Sequence, residues 1–146
     1  MRECKIQNKS YSERRMLMNN EQSLTSGCFV NFSNHPSAGW APEQRGAALE
    51  LGRSIVDIPF PQVRADASEE EITRIAREYT AAILAASPAA VMCMGEFGVC
   101  YQVICALKEQ HIRVVYTCTE RCTEERITDT GTQKYSIFRF VRFRNY

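Results

Sequence analysis

Three short polar clusters each follow an apolar run directly: Asn31-Phe32-Ser33-Asn34-His35, Gly95-Glu96-Phe97-Gly98, and Thr117-Cys118-Thr119-Glu120-Arg121. Their residue types suit an anionic or nucleotide-like ligand. Asn31, Ser33 and Asn34 can donate to phosphate or read a base edge, and His35 can give or take a proton near neutral pH. A glycine turn between a strand and a helix, as at Gly95 to Gly98, offers backbone N–H groups of the kind that hold phosphate. Thr117, Thr119 and Arg121 can clamp a phosphoryl oxygen, the arginine acting as a planar charged fork.

Each cluster also has a plainer reading. Asn34-His35-Pro36 is a turn whose side chains can bond their own backbone. Glu96 can stabilise a helix N-terminus, accept ribose hydroxyls, or attack a glycosidic carbon as a nucleophile. The charges from Glu120 to Arg126 can pair with one another in a solvated loop. Trp40, the only tryptophan, is placed either to stack on a base or to lid the core.

The clusters converge only if the fold brings strand ends together. Cys28 to Phe32, Ser54 to Ile58, Ala89 to Met94 and Ile112 to Tyr116 read as strands, and Tyr135 to Phe143 as a fifth. A helix is expected after Pro42, with Gly52 as its C′ residue. A second starts at a Ser68/Glu71 capping box and repeats Ile72, Ile75, Ala76, Tyr79 and Ile83; a third carries Val99, Val103, Ile104 and Leu107. This alternation predicts an α/β fold, a Rossmann-like open and mostly parallel sheet of about five strands with helices on both faces. Its carboxyl rim would then gather all three clusters. Thr119 to Thr132 is polar and is expected to be a loop or short hairpin. Arg142 and Arg144 should share one face of the last strand, with Arg139 on the other.

Composition narrows the functional class. The 146 residues carry 18 Lys and Arg against 17 Asp and Glu, a formal charge of +1, so no global field points to duplex DNA or a membrane surface. No apolar run is long enough for a transmembrane helix. Residues 1–26 are polar and aperiodic and read as a flexible leader before one domain at 27–146. Seven cysteines, an odd number without an apolar signal stretch, fit a reducing cytoplasm, with Cys28, Cys93 and Cys118 as small strand hydrophobes. His111, Cys118 and Cys122 lack the paired spacing of a zinc site, so no metal and no cofactor is expected.

In this layout the three clusters resemble small stand-alone CARF-like proteins (CRISPR-associated Rossmann fold) over about residues 27 to 146. The resemblance implies a homodimer that binds a cyclic oligoadenylate, an antiviral defence signal, across a two-fold axis. It also implies the activity of the ring nucleases, which cleave that signal without metal. By position, Asn31, Ser33, Asn34 and His35 would contact the ligand, Gly95, Glu96, Phe97 and Gly98 would line the pocket, and Thr117, Thr119 and Arg121 would lie at the phosphate. With no effector domain in the sequence, it implies removal of the signal rather than relay. Cleavage would use a ribose 2′-hydroxyl as nucleophile, with His35, Arg121 and Ser33 as the catalytic set. None of the clusters holds a lysine. Two other expectations stand beside this one: a nucleoside deoxyribosyltransferase-like N-glycosidase using Glu96, and a non-catalytic nucleotide sensor or interaction module.

Overall fold

The computed structural model describes residues 27–146, and the proposed leader at 1–26 lies outside the described residues. Five strands form one sheet: β1 (Cys28–Ser33), β2 (Ile55–Pro59), β3 (Pro88–Cys93), β4 (Arg113–Thr128) and β5 (Gly131–Asn145). Their spatial order is β2-β1-β3-β4-β5, with β1 to β4 parallel and β5 antiparallel to β4. The helices are α1 (Pro42–Leu51), α2 (Glu69–Ala85) and α3 (Phe97–Glu109), and a short 3-10 turn spans Ser37–Gly39. The α/β, mostly parallel architecture expected from the sequence is present.

Strand periodicity decides which helix covers which face. Val30, Phe32, Val91, Cys93 and Val114 point to one side and pack with Ala76 and Ile83 of α2 and Val99, Val103 and Leu107 of α3. Phe29, Ala90, Met92 and Val115 point to the other, against Ala48 of α1, Trp40 and Phe143. Phe32 is the aromatic centre of the first layer, its ring 4.6 Å from Phe60 and 5.2 Å from Tyr79. The chain leaves β1 in one direction through α1 and recrosses in the other through α2. The C-terminal ends of β1 and β3 therefore border a topological switch point, where such sheets leave a crevice.

Local chemistry fixes the helix ends. Ser68 and Glu71 form the reciprocal capping box, each backbone N–H donating to the other's side chain at 3.2 Å. Pro42 opens α1. Gly52 ends it with extended rather than left-handed backbone, φ −161°, so the C′ explanation is corrected. Its glycine is required by space: a Cβ there would lie 2.6 Å from the Cys28 carbonyl carbon and run into the Phe29 nitrogen.

Of the loop or short hairpin expected at Thr119 to Thr132, the structure has a hairpin, but a long one: β4 continues to Thr128 and turns through Asp129 and Thr130, and β5 begins at Gly131. Beyond Val115 β4 has no further β3 partner, and from Thr119 on its side chains are mostly exposed, so no apolar alternation marks the ribbon as strand. The basic residues of β5 are also rearranged. Cys118 pairs with Arg142 but Thr119 pairs with Phe140, making Val141 an extra residue. The bulge puts Arg139 on the same face as Arg142 and Arg144, opposite Glu120, Cys118 and Tyr116.

Cys28 and Cys93 are buried and act as packing groups. Burial pushes the Cys28 thiol up, and the adjoining Cys100 thiol together with burial pushes the Cys93 thiol up, so both remain protonated. Tyr146 ties the end of the chain back to the core, donating from its hydroxyl to the Cys93 carbonyl at 2.9 Å.

Two outcomes follow from this packing. Gly52→Ala should destabilise the fold by about 1–3 kcal/mol in urea titration, because the added methyl forces the α1 end away from β1. Desolvation, with Cys93, Cys100 and Tyr116 adding, pushes Tyr146 up from 10.0 to about 12. The fold favours the neutral phenol, so this contribution is complete below pH 10 and is lost as pH rises through about 12. An ultraviolet phenolate titration should show a late tyrosine step that Tyr146→Phe removes.

Candidate functional site

The C-terminal ends of β1 and β3 and the first half of β4 border a cavity of 530 Å³ on the α1 side of the sheet, lined by Ser33, His35, Trp40, Gln44, Met92, Met94, Thr117, Thr119, Phe138 and Phe140 among others. It lies at the switch point. The first and third clusters of the sequence thus share one opening: Ser33, His35, Thr117 and Thr119 line it together. Among the described residues, no Asp, Glu, Lys or Arg lines it. Its walls are aromatic and thioether surface, and its polar groups are hydroxyls, one amide and one imidazole.

The β1 end is held by an internal network. Asn31 is 1% exposed, and its amide donates to the His35 carbonyl and to Asp57 Oδ1, both at 2.8 Å. Its own oxygen accepts from Ser33 Oγ at 2.7 Å, and Ser33 Oγ accepts from the His35 N–H at 3.1 Å. Asp57 lies beside Asn31 in the β1–β2 register and also accepts from the Ser37 N–H and, at 3.0 Å, the Ser37 hydroxyl. Trp40 Nε1 donates to the same His35 carbonyl at 3.2 Å. Asn31 is therefore a scaffold for the loop, and the imidazole of His35 is the group left facing the cavity. Asp57 was missed in the sequence because it sits inside an ordinary strand run; its signal was a carboxylate among the β-branched residues of Ile55 to Ile58.

Thr117 is likewise positioned by the strands. Its hydroxyl donates to Met92 Sδ at 2.9 Å and its N–H to Met94 Sδ at 3.3 Å, beyond the last β3 pairing. Thr119 follows on the same face with its side chain exposed. Arg121, two residues on, instead donates from Nε and Nη2 to Ser136 Oγ at 3.0 and 2.9 Å. It is outside the cavity lining.

The second cluster lies at the same end of the sheet but not in this cavity. Glu96 is the N-cap of α3, accepting from the Gly98 N–H at 3.0 Å and the Val99 N–H at 2.8 Å. Its carboxylate fills the place an external anion would take. Gly95 is explained by contact: a Cβ there would come within 2.5 Å of the Phe60 ring. Asn34 and Glu96 border a separate depression with Phe60, Pro61, Gln62 and Val63. Phe97 is 90% exposed and begins a shallow apolar surface along α3 with Tyr101 and Ile104. Among the described residues no three His, Cys, Asp or Glu side chains come together as a metal site would require.

Asn31→Ala should cost about 1–3 kcal/mol by stranding the Asp57, Ser33 and His35 partners. Hydrogen exchange should show lost protection at residues 33–40 ahead of the sheet core.

No helix among the described residues is long and apolar enough to cross a membrane. No curated protein and no solved structure matches the chain. Over residues 27–144 it matches the model of the Uncharacterized protein MJ1673 family, and it belongs to that family.

Proposed function

We propose that the cavity binds an adenylate nucleotide of the cyclic oligoadenylate class, as the CARF resemblance implies. The observation that carries this reading is one opening at the sheet's switch point that joins an aromatic wall to hydroxyl and imidazole groups. A purine can stack on Phe138, Phe140 or the Trp40 edge, and its ribose and phosphate can reach Ser33, Thr117, Thr119, Gln44 and His35. Among the described residues no carboxylate lines the cavity to repel an anionic ligand.

The proposal extends to cleavage, as the ring-nuclease resemblance implies. A ribose 2′-hydroxyl gives its proton to solvent water as its oxygen attacks the adjacent phosphorus, the P–O5′ bond breaks, the departing 5′ oxygen takes up a proton, and a 2′,3′-cyclic phosphate and a 5′-hydroxyl result. His35 donates the proton to the departing oxygen and Thr119 positions a phosphoryl oxygen, while Arg121, held by Ser136 outside the cavity lining, takes no part in the step. Ser33, with its hydroxyl engaged by Asn31 and His35, fixes the loop that carries the imidazole. The N-glycosidase reading draws less support, since both Glu96 oxygens are capping α3. A sensor without turnover is the reading if binding is found alone.

Calorimetry and product chromatography with cyclic tetra- and hexa-adenylate in EDTA test this. Expected are saturable binding, linear products ending in cyclic phosphate, weakened binding in Phe140→Ala, and turnover reduced roughly 10²–10⁴-fold in His35→Ala with binding kept. No heat and no products with either ring would reject the proposal.

A further inference from the structure

The β4–β5 ribbon leaves one strand edge without a partner. β3 pairs with β4 only at Arg113, Val114 and Val115, whereas β5 accompanies β4 to Thr128. Among the described residues, nothing pairs with the β3-facing edge of β4 beyond that point. A long two-stranded ribbon is marginal in water, and an exposed strand edge is a template for another strand.

The side chains along this edge decide which strand fits. In antiparallel pairing about a two-fold axis, residues directly opposite share a face, so symmetric registers centre on a single residue. Centring on Glu124, Glu125 or Arg121 sets that charge against itself, and centring on Cys122 sets Glu120 against Glu124. Centring on Thr123 pairs Glu120 with Arg126 and Arg121 with Glu125, twice each, with no like charges opposed. We propose that two copies of this chain join through this edge, β4 against β4, about a two-fold axis at Thr123.

The charges already in place extend into rows across the joined ribbons. Glu120 lies 4.0 Å from Arg139 on its β5 side, and Glu125 lies 3.1 Å from Lys134. Each would gain an arginine of the second copy on its other side. The same register sets Thr119, at the cavity mouth, opposite Ile127 of the partner subunit. Ile127 is 91% exposed in the single chain, and this contact gives it an apolar neighbour beside the site. The pairing supplies the two-fold partner invoked for the ligand, but it rests on the strand edge and not on that reading.

Sedimentation equilibrium on the full chain tests it without ligand. The native protein should sediment as a dimer. Glu120→Arg and Arg126→Glu should each shift it toward monomer, with a roughly tenfold or greater rise in the dissociation constant, because each altered pair occurs twice. An equimolar mixture of the two variants should recover the dimer, since their charges complement across the axis; circular dichroism checks that each variant is folded. A monomeric native protein, a dimer that neither variant weakens, or a mixture that stays monomeric would overturn the pairing. Adenylate binding measured alongside separates the two ideas: a monomer that binds ends this one alone, and a dimer that does not bind ends only the functional reading.

Discussion

The buried Asn31 amide is the point on which the candidate site depends. An uncompensated amide in the α1-side core would be costly, and here both its hydrogens and its oxygen are used. Those bonds join β1 to Asp57 on β2 and to the turn at Ser33 to His35. Through the His35 carbonyl they also reach Trp40, whose ring packs 6.2 Å from Phe29 and 6.4 Å from Phe143. One polar group thus fixes the wall of the cavity, the placement of the imidazole and the lid over the second core layer. The neighbouring face of the sheet needs no such device, because there the residues after Phe32 and Cys93 bury Phe60 and cap α3.

The parallel sheet was legible because burial writes itself into strand composition. Val30, Phe32, Val91 and Cys93 are enclosed, and runs of such residues bounded by Pro, Gly and Ser are hard to read otherwise. Capping was equally legible at Ser68 and Glu71, where a short spacing carries the geometry. The length of the hairpin was hidden for the opposite reason: from Thr119 on β4 is mostly exposed, so Thr, Glu and Arg occupy both its sides. The bulge at Val141 could not be read either, since an extra residue in one strand is visible only against its partner.

The candidate site divides along the same line. Ser33, His35, Thr117 and Thr119 line one opening because parallel β1, β3 and β4 share a direction, a consequence of topology, whereas the Gly95 to Gly98 turn expected at the same mouth lies outside it. What residue type could not show was which groups are already bonded. Asn31, Glu96 and Arg121 are polar and near the rim, yet Asp57, the α3 N-terminus and Ser136 take their hydrogen-bonding capacity. Phe138 and Phe140, which complete the cavity, were read only as part of a basic final strand.

The bulge reconciles the two demands placed on that strand. Without it, strict alternation from Phe143 would carry Phe140 and Phe138 to the face away from the cavity. With Val141 inserted, Phe138, Phe140 and Phe143 lie on the α1 side, the last two rings 5.0 Å apart, while Arg139, Arg142 and Arg144 line the other. The ribbon then presents apolar surface where the cavity needs a wall and charge where water must solvate an exposed strand. The ribbon's projection beyond the sheet follows from this separation: a strand with one face given to a cavity and the other to solvent can extend past the last parallel partner and still be anchored at its base.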